Sequence, residues 1–180
     1  MQRPSLPLPA PAPGPNSSPG VCVMRRLPFL ELMELLEFSR LRLDPPAAAP
    51  TRATGLVLGT QDWLCPDAAG TLPATEAFDV YVCSTLAALH DAVLPPDDTR
   101  LHFDMSTHAQ TAPTASRTHH VRLCAVASAR PRRKRALPYL RVDLGTLIQR
   151  IVVPAKVPAH VFELVQQVVR TRLWIDVARA

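Results

Sequence analysis

Histidine is the first residue type in this sequence whose spacing suggests chemistry. His102, His108, His119 and His120 fall close together, with Asp104 and Cys124 near them. A metal site needs its ligands to converge at about 2 Å from one point. On an extended strand His102 and Asp104 share a face, whereas His119 and His120 point to opposite faces, so only one of those two joins them. Residues 108–118 read as a hairpin loop, a poor anchor for a rigid site, and solvated histidines on strand edges are the competing reading. No metal or other cofactor is expected. A dyad of Cys124 with His102 or His120 meets a similar objection, because Cys124 sits in an apolar run that turns it toward the core, where a thiol is inert.

The second candidate is electrostatic. Arg130, Arg132, Arg133, Lys134 and Arg135 place five positive charges within six residues, between two expected strands. Ten Lys/Arg and two acids lie between residues 100 and 150, a charge of +8 against −3 for the remainder. A loop carrying such a run projects a positive point toward an anionic surface. It resembles a nuclear localisation signal. It also suits nucleic acid, although no aromatic residues are interleaved for base stacking. An acidic protein lattice such as the microtubule surface is a third reading, and a solvated loop without a dedicated partner is the fourth.

Other chemistry lacks a signature. Gly55-x-x-x-Gly59 has no following Gly-Lys-Ser/Thr, and GxGxxG, GxSxG and HExxH are absent. The sequence therefore gives no ground to expect an enzyme.

The elements that must position these residues come from composition and periodicity. The 180 residues carry a net charge of +5, with 47% hydrophobic but only 5% aromatic residues, so a core must be built from Leu, Val, Ile and Ala. Twenty prolines stand against six glycines, and many of the prolines lie in residues 1–20, a Pro/Ala/Ser/Gly stretch that favours extended polyproline II. Residues 1–26 are thus expected to be a disordered leader. No run of about 18 apolar residues exists, so no membrane span is expected. The cysteines at 22, 65, 83 and 124 form no CxxC pair, there is no signal-peptide pattern, and they read as reduced core thiols in the cytoplasm or nucleus.

Residues 27–38 show acids every third residue opposite Phe29, Leu32, Met33 and Leu36, which predicts a short amphipathic helix with Pro28 in its first turn. It serves either as a partner-docking or export-like helix or, in the simpler reading, packs on its own domain. A proline-rich linker then runs to residue 54. Alternation predicts strands over 55–60, 78–83, 100–107, 120–127 and 139–144, with helices over 86–93 and 144–152. Residues 161–169 have helical spacing, but 171–177 alternate as a strand does. Short strands at irregular spacing predict a mainly β domain over 55–180, an antiparallel β-sandwich or jelly-roll-like fold with one or two short helices.

The order of these pieces resembles the cilia- and flagella-associated β-domain family. The stretches that carry the likeness are Trp63–Pro66 followed by Gly70–Leu72, then Phe78–Cys83, Leu101–Thr107, His120–Leu123, Tyr139–Leu144 running into Leu147 and Ile148, and Arg170–Asp176. Tyr139 stands where the family usually has Trp, and Ile175 where it has Ser or Tyr. The resemblance implies a β-sandwich without an active site: a structural module of the cytoskeleton of a cilium, flagellum or centriole, with tubulin, the microtubule lattice or other axonemal proteins as partners. The basic residues 130–135 would supply the contact. The alternative is a nuclear protein using the same run for import or nucleic-acid contact.

Overall fold

Alternating β-branched and polar residues become strands here wherever one face can be buried, and the apolar face of each helix closes over them. The computed structural model describes residues 20–45, 55–66, 78–108, 118–127 and 137–180. In chain order they form β1 (Cys22–Pro28), α1 (Phe29–Phe38), β2 (Arg40–Arg42), β3 (Val57–Cys65), β4 (Asp79–Thr85), α2 (Leu86–Ala92) and β5 (Val93–Leu94). Then follow β6 (Thr99–His108), β7 (Thr118–Ala127), β8 (Tyr139–Val142), α3 (Leu144–Leu147), β9 (Arg150–Val153), α4 (Ala159–Arg172) and β10 (Asp176–Arg179).

The fold is mainly β, as the alternation predicts. Seven strands form one sheet in the order β10-β9-β4-β1-β3-β7-β6, and β2-β8-β5 form a second, smaller sheet. One hydrophobic core holds both together, with Leu41 and Leu140 from the small sheet in the same cluster as Trp63, Val82 and Ile151 from the large one. The large sheet is mixed rather than purely antiparallel, because β9 and β10 pair in parallel. A parallel neighbour needs a crossover, and α4 supplies it, burying Val165 and Val169 at helical spacing.

α1 starts after Pro28 and buries Leu32, Leu35 and Leu36, so its apolar face is spent on its own domain. Its C-cap, Ser39, adopts the left-handed conformation with φ 49, and Glu37 pairs with Arg172 of α4. No helix among the described residues is long and apolar enough to cross a membrane.

Three local expectations are corrected. Residues 22–26, grouped with the leader on proline content, lie in β1, hydrogen-bonded between β4 and β3. Residues 144–152, expected as one helix, give the single turn α3 and then β9. The Asp143 carboxylate accepts from the Gly145 and Thr146 backbone N–H groups and starts the turn, and the β-branched Ile151-Val152-Val153 then pairs with β4 and β10. Trp174, expected on a closing strand, is fully exposed between α4 and β10.

Gly59 of β3 lies against the segments that flank β2 and β8. A β-carbon there would lie 2.8 Å from Leu43 Cβ and 2.9 Å from the Leu137 carbonyl oxygen, so glycine lets β3 run beside the ends of β2 and β8. The register of β3 on β7 shifts between Val57 and Gly59 at the same place.

Candidate ligand-binding cleft

The outer face of the large sheet, away from the small one, carries a row of side chains that the strand registers bring together from distant parts of the chain. Leu64 of β3 faces Met24 of β1, Met24 faces Cys83 of β4, Cys83 faces Arg150 of β9, and Arg150 faces Asp176 of β10. Directly paired residues in a sheet project to the same face. A second row runs from Tyr81 through Val152 to Ala178.

An open cleft of about 660 Å³ lies at this corner, lined by Cys22, Met24, Pro66, Cys83, Ser84, Gln149, Arg150, Val152 and Ala178 among others. Its lining mixes apolar side chains, Met24, Pro66, Val152 and Ala178, with polar ones, Ser84, Gln149 and Arg150. Arg150 is fixed by an ion pair from Nε to Asp176 Oδ2 at 2.9 Å. The Gln149 backbone N–H donates to the Cys83 carbonyl at 3.0 Å, and its amide reaches Thr85 Oγ1 at 3.5 Å. Arg179 also borders the cleft, but its guanidinium donates to the carbonyls of Ala155 and Val157 at 3.0 and 2.7 Å and lies over the Phe162 ring. Among the described residues, Arg150 and Arg179 are the cations at the cleft, Arg150 paired with Asp176 and Arg179 turned to backbone carbonyls.

The thiols differ in environment. Burial pushes Cys83 up to about 11, with Arg150 pulling it down and Cys22 pushing it up. Cys83 is thus a neutral thiol at pH 7 and no nucleophile. Cys22, on the next strand, is exposed.

The residues singled out from sequence fall elsewhere. Arg130, Arg132, Arg133, Lys134 and Arg135 lie outside the described residues. His102 pairs with Cys124 and Asp104 with Arg122 across β6 and β7. Arg122 in turn holds both carboxylate oxygens of Asp62, at 2.7 and 3.0 Å, which raises its pKa. Among the described residues no three His, Cys, Asp or Glu side chains group as a metal site. Cys124 does face His102, yet it is fully buried with Val57 and Val126, and burial raises its thiol pKa, so the pair is no nucleophilic dyad.

No local motif in the sequence marks the cleft residues. Cys22 and Met24 alternate within Val21–Leu27, but two arginines and the adjoining prolines mask the strand. Cys83 ends an apolar run like any core thiol.

No family model matches the chain, and no curated protein matches it. Among solved structures the chain is similar to Thermus sp. 2.9 DarT in complex with carba-NAD+, with a TM-score of 0.47 and 9% identity over 91% of this chain and 97% of that one. It is similar also to Thermus sp. 2.9 DarT in complex with NAD+, with a TM-score of 0.47 and 10% identity over 90% and 96% of the two chains. The resemblance to the cilia- and flagella-associated family is corrected by this result, since the similar structures are of DarT and not of a ciliary protein. The non-enzymatic axonemal or centriolar module and its tubulin partner are corrected with it: the similar structures are of DarT, and none is of a cytoskeletal protein. The alternative of import or nucleic-acid contact through residues 130–135 gains no support either. At this score the likeness assigns no activity to this chain.

Proposed function

We propose that the chain takes a nucleotide-sized organic ligand, as substrate or cofactor, in the cleft at the β1–β4–β9–β10 corner. The cleft carries this proposal: at about 660 Å³, open to solvent and lined by both apolar and polar side chains, it falls within the range of small-molecule sites, roughly 300 to 1,000 Å³. Met24, Pro66, Val152 and Ala178 suit the flat face of a base. Arg150, paired at Nε with Asp176, suits a phosphate, and the Gln149 amide suits a hydroxyl or carboxamide.

The likeness to DarT only chooses the probes. Calorimetric titration of the full chain with NAD+, carba-NAD+ and adenosine diphosphate tests the proposal. Saturable binding is expected, blocked by Ala178→Trp, which fills the floor. Arg150→Ala should weaken it about tenfold or more, since a hydrogen bond to a charged group is worth about 1.5–3 kcal/mol. Absence of saturable binding by all three probes, or binding unchanged in Ala178→Trp, would overturn it.

A further inference from the structure

We propose that Cys22, Met24 and Cys83 form a sulfur-only site for a soft monovalent cation, copper(I), at the β1–β4 end of the cleft. Three observations converge on it. Cys22 and Met24 are two residues apart on β1 and so project to one face, Met24 pairs directly with Cys83 of β4, and all three line the same cleft. Two thiols with a thioether are the ligands that select copper(I) over harder ions.

Spacing favours a bridging ion over a disulfide. Cys22 pairs with Thr85, so Cys22 and Cys83 are diagonal neighbours on adjacent strands. Diagonal Cα atoms lie about 7–8 Å apart, with the β-carbons somewhat closer, whereas a disulfide needs β-carbons at about 3.5–4.5 Å. Two metal–sulfur bonds of about 2.3 Å, the zinc–thiolate value, add the missing length. The binding step is Cu⁺ + 2 RSH → [Cu(SR)₂]⁻ + 2 H⁺, with both protons released to solvent. Arg150, paired opposite Cys83, faces the resulting negative charge, and Met24 supplies a neutral third donor. Because two protons leave, affinity should rise steeply with pH.

The test is anaerobic titration of the full chain with copper(I) against a chromophoric copper(I) chelator, repeated with silver(I), which does not change oxidation state. One equivalent should be withheld from the chelator. Cys22→Ser and Cys83→Ser should each weaken retention at least about tenfold, and Met24→Leu less, while Cys124→Ala leaves it unchanged. Cys22 is exposed, so Cys22→Ser tests the site without disturbing the core. X-ray absorption of the loaded chain should show sulfur neighbours and no nitrogen or oxygen shell. Wild-type retention by both cysteine variants, or a nitrogen or oxygen shell, would overturn the site.

Discussion

Gln61→Leu should be the costliest conservative change in the interior, because one amide ties the two sheets together. Gln61 sits on β3 of the large sheet, 1% exposed, beside the fully buried Trp63. Its Nε2 donates to the Arg42 carbonyl of the small sheet at 2.9 Å, and its Oε1 accepts from the Trp63 indole N–H at 2.9 Å. Leucine has nearly the same volume, so no cavity opens. The substitution instead leaves the Trp63 N–H and the Arg42 carbonyl without these partners. A buried donor or acceptor deprived of its partner costs about 1–3 kcal/mol. The Arg42 carbonyl is only partly buried, so the two together should cost about 2–4 kcal/mol. Urea unfolding measures this, and fluorescence reports it well in a Trp174→Phe background, where the exposed indole is removed and only Trp63 emits. The midpoint should fall at unchanged slope. In the double variant Trp63→Phe/Gln61→Leu, followed by circular dichroism, the cost should be smaller than the sum of the singles, because the orphaned indole N–H is gone. A loss below about 0.5 kcal/mol in Gln61→Leu, the scatter of surface substitutions, would mean that these two hydrogen bonds do not hold the sheets together.

Ser39→Gly should stabilise the fold by up to about 1 kcal/mol, because Ser39 caps α1 at φ 49, where only glycine escapes the β-carbon penalty; thermal unfolding reads the gain. Arg40 and Arg141 face each other directly across β2 and β8, so Arg141→Glu should add roughly 0.5–1 kcal/mol at low salt and lose most of that gain at high salt. The Cys83 thiol is raised in the fold from 9.0 to about 11, so the fold binds its proton more tightly than the unfolded chain does. Its contribution is complete below pH 9 and is lost as pH rises from 9 to 11, by at most about 2–3 kcal/mol at 1.36 kcal/mol per unit. Urea unfolding at pH 8 and pH 10.5 should show a smaller difference in Cys83→Ser than in the parent chain.

Local order was legible in the sequence where periodicity met few competing signals. The strands at 99–108 and 118–127 alternate cleanly, α1 follows Pro28 with apolar residues at helical spacing, and the Ala/Leu stretch before Pro95 yields α2. Misreadings arose where local preference yielded to sheet pairing. β1 carries Arg25, Arg26 and Pro28 and borders a proline-rich segment, yet β4 and β3 hold it in the middle of the sheet. Arg25 shows the tension: its buried Nε has no partner, and its Nη1 donates to the Asp62 carbonyl. Leu147, Ile148 and Ile151 fit a helix face, but Ile151 pairs with Val82 of β4 and Val177 of β10. The cleft was hidden for a related reason. Met24, Cys83 and Arg150 become neighbours only through the registers of three strands far apart in sequence, and no local spacing encodes a register. The basic run at 130–135, by contrast, is conspicuous in the sequence because it is local.

Methyl-labelled NMR of the full chain during NAD+ addition is the sharpest test of the ligand site proposed at the β1–β4–β9–β10 corner. Shifts concentrated at the methyls of Met24, Val152 and Ala178, saturating together and absent from the core methyls of Val165 and Leu123, are predicted. No shift at those three methyls up to millimolar NAD+, or shifts centred on another face of the molecule, would contradict it.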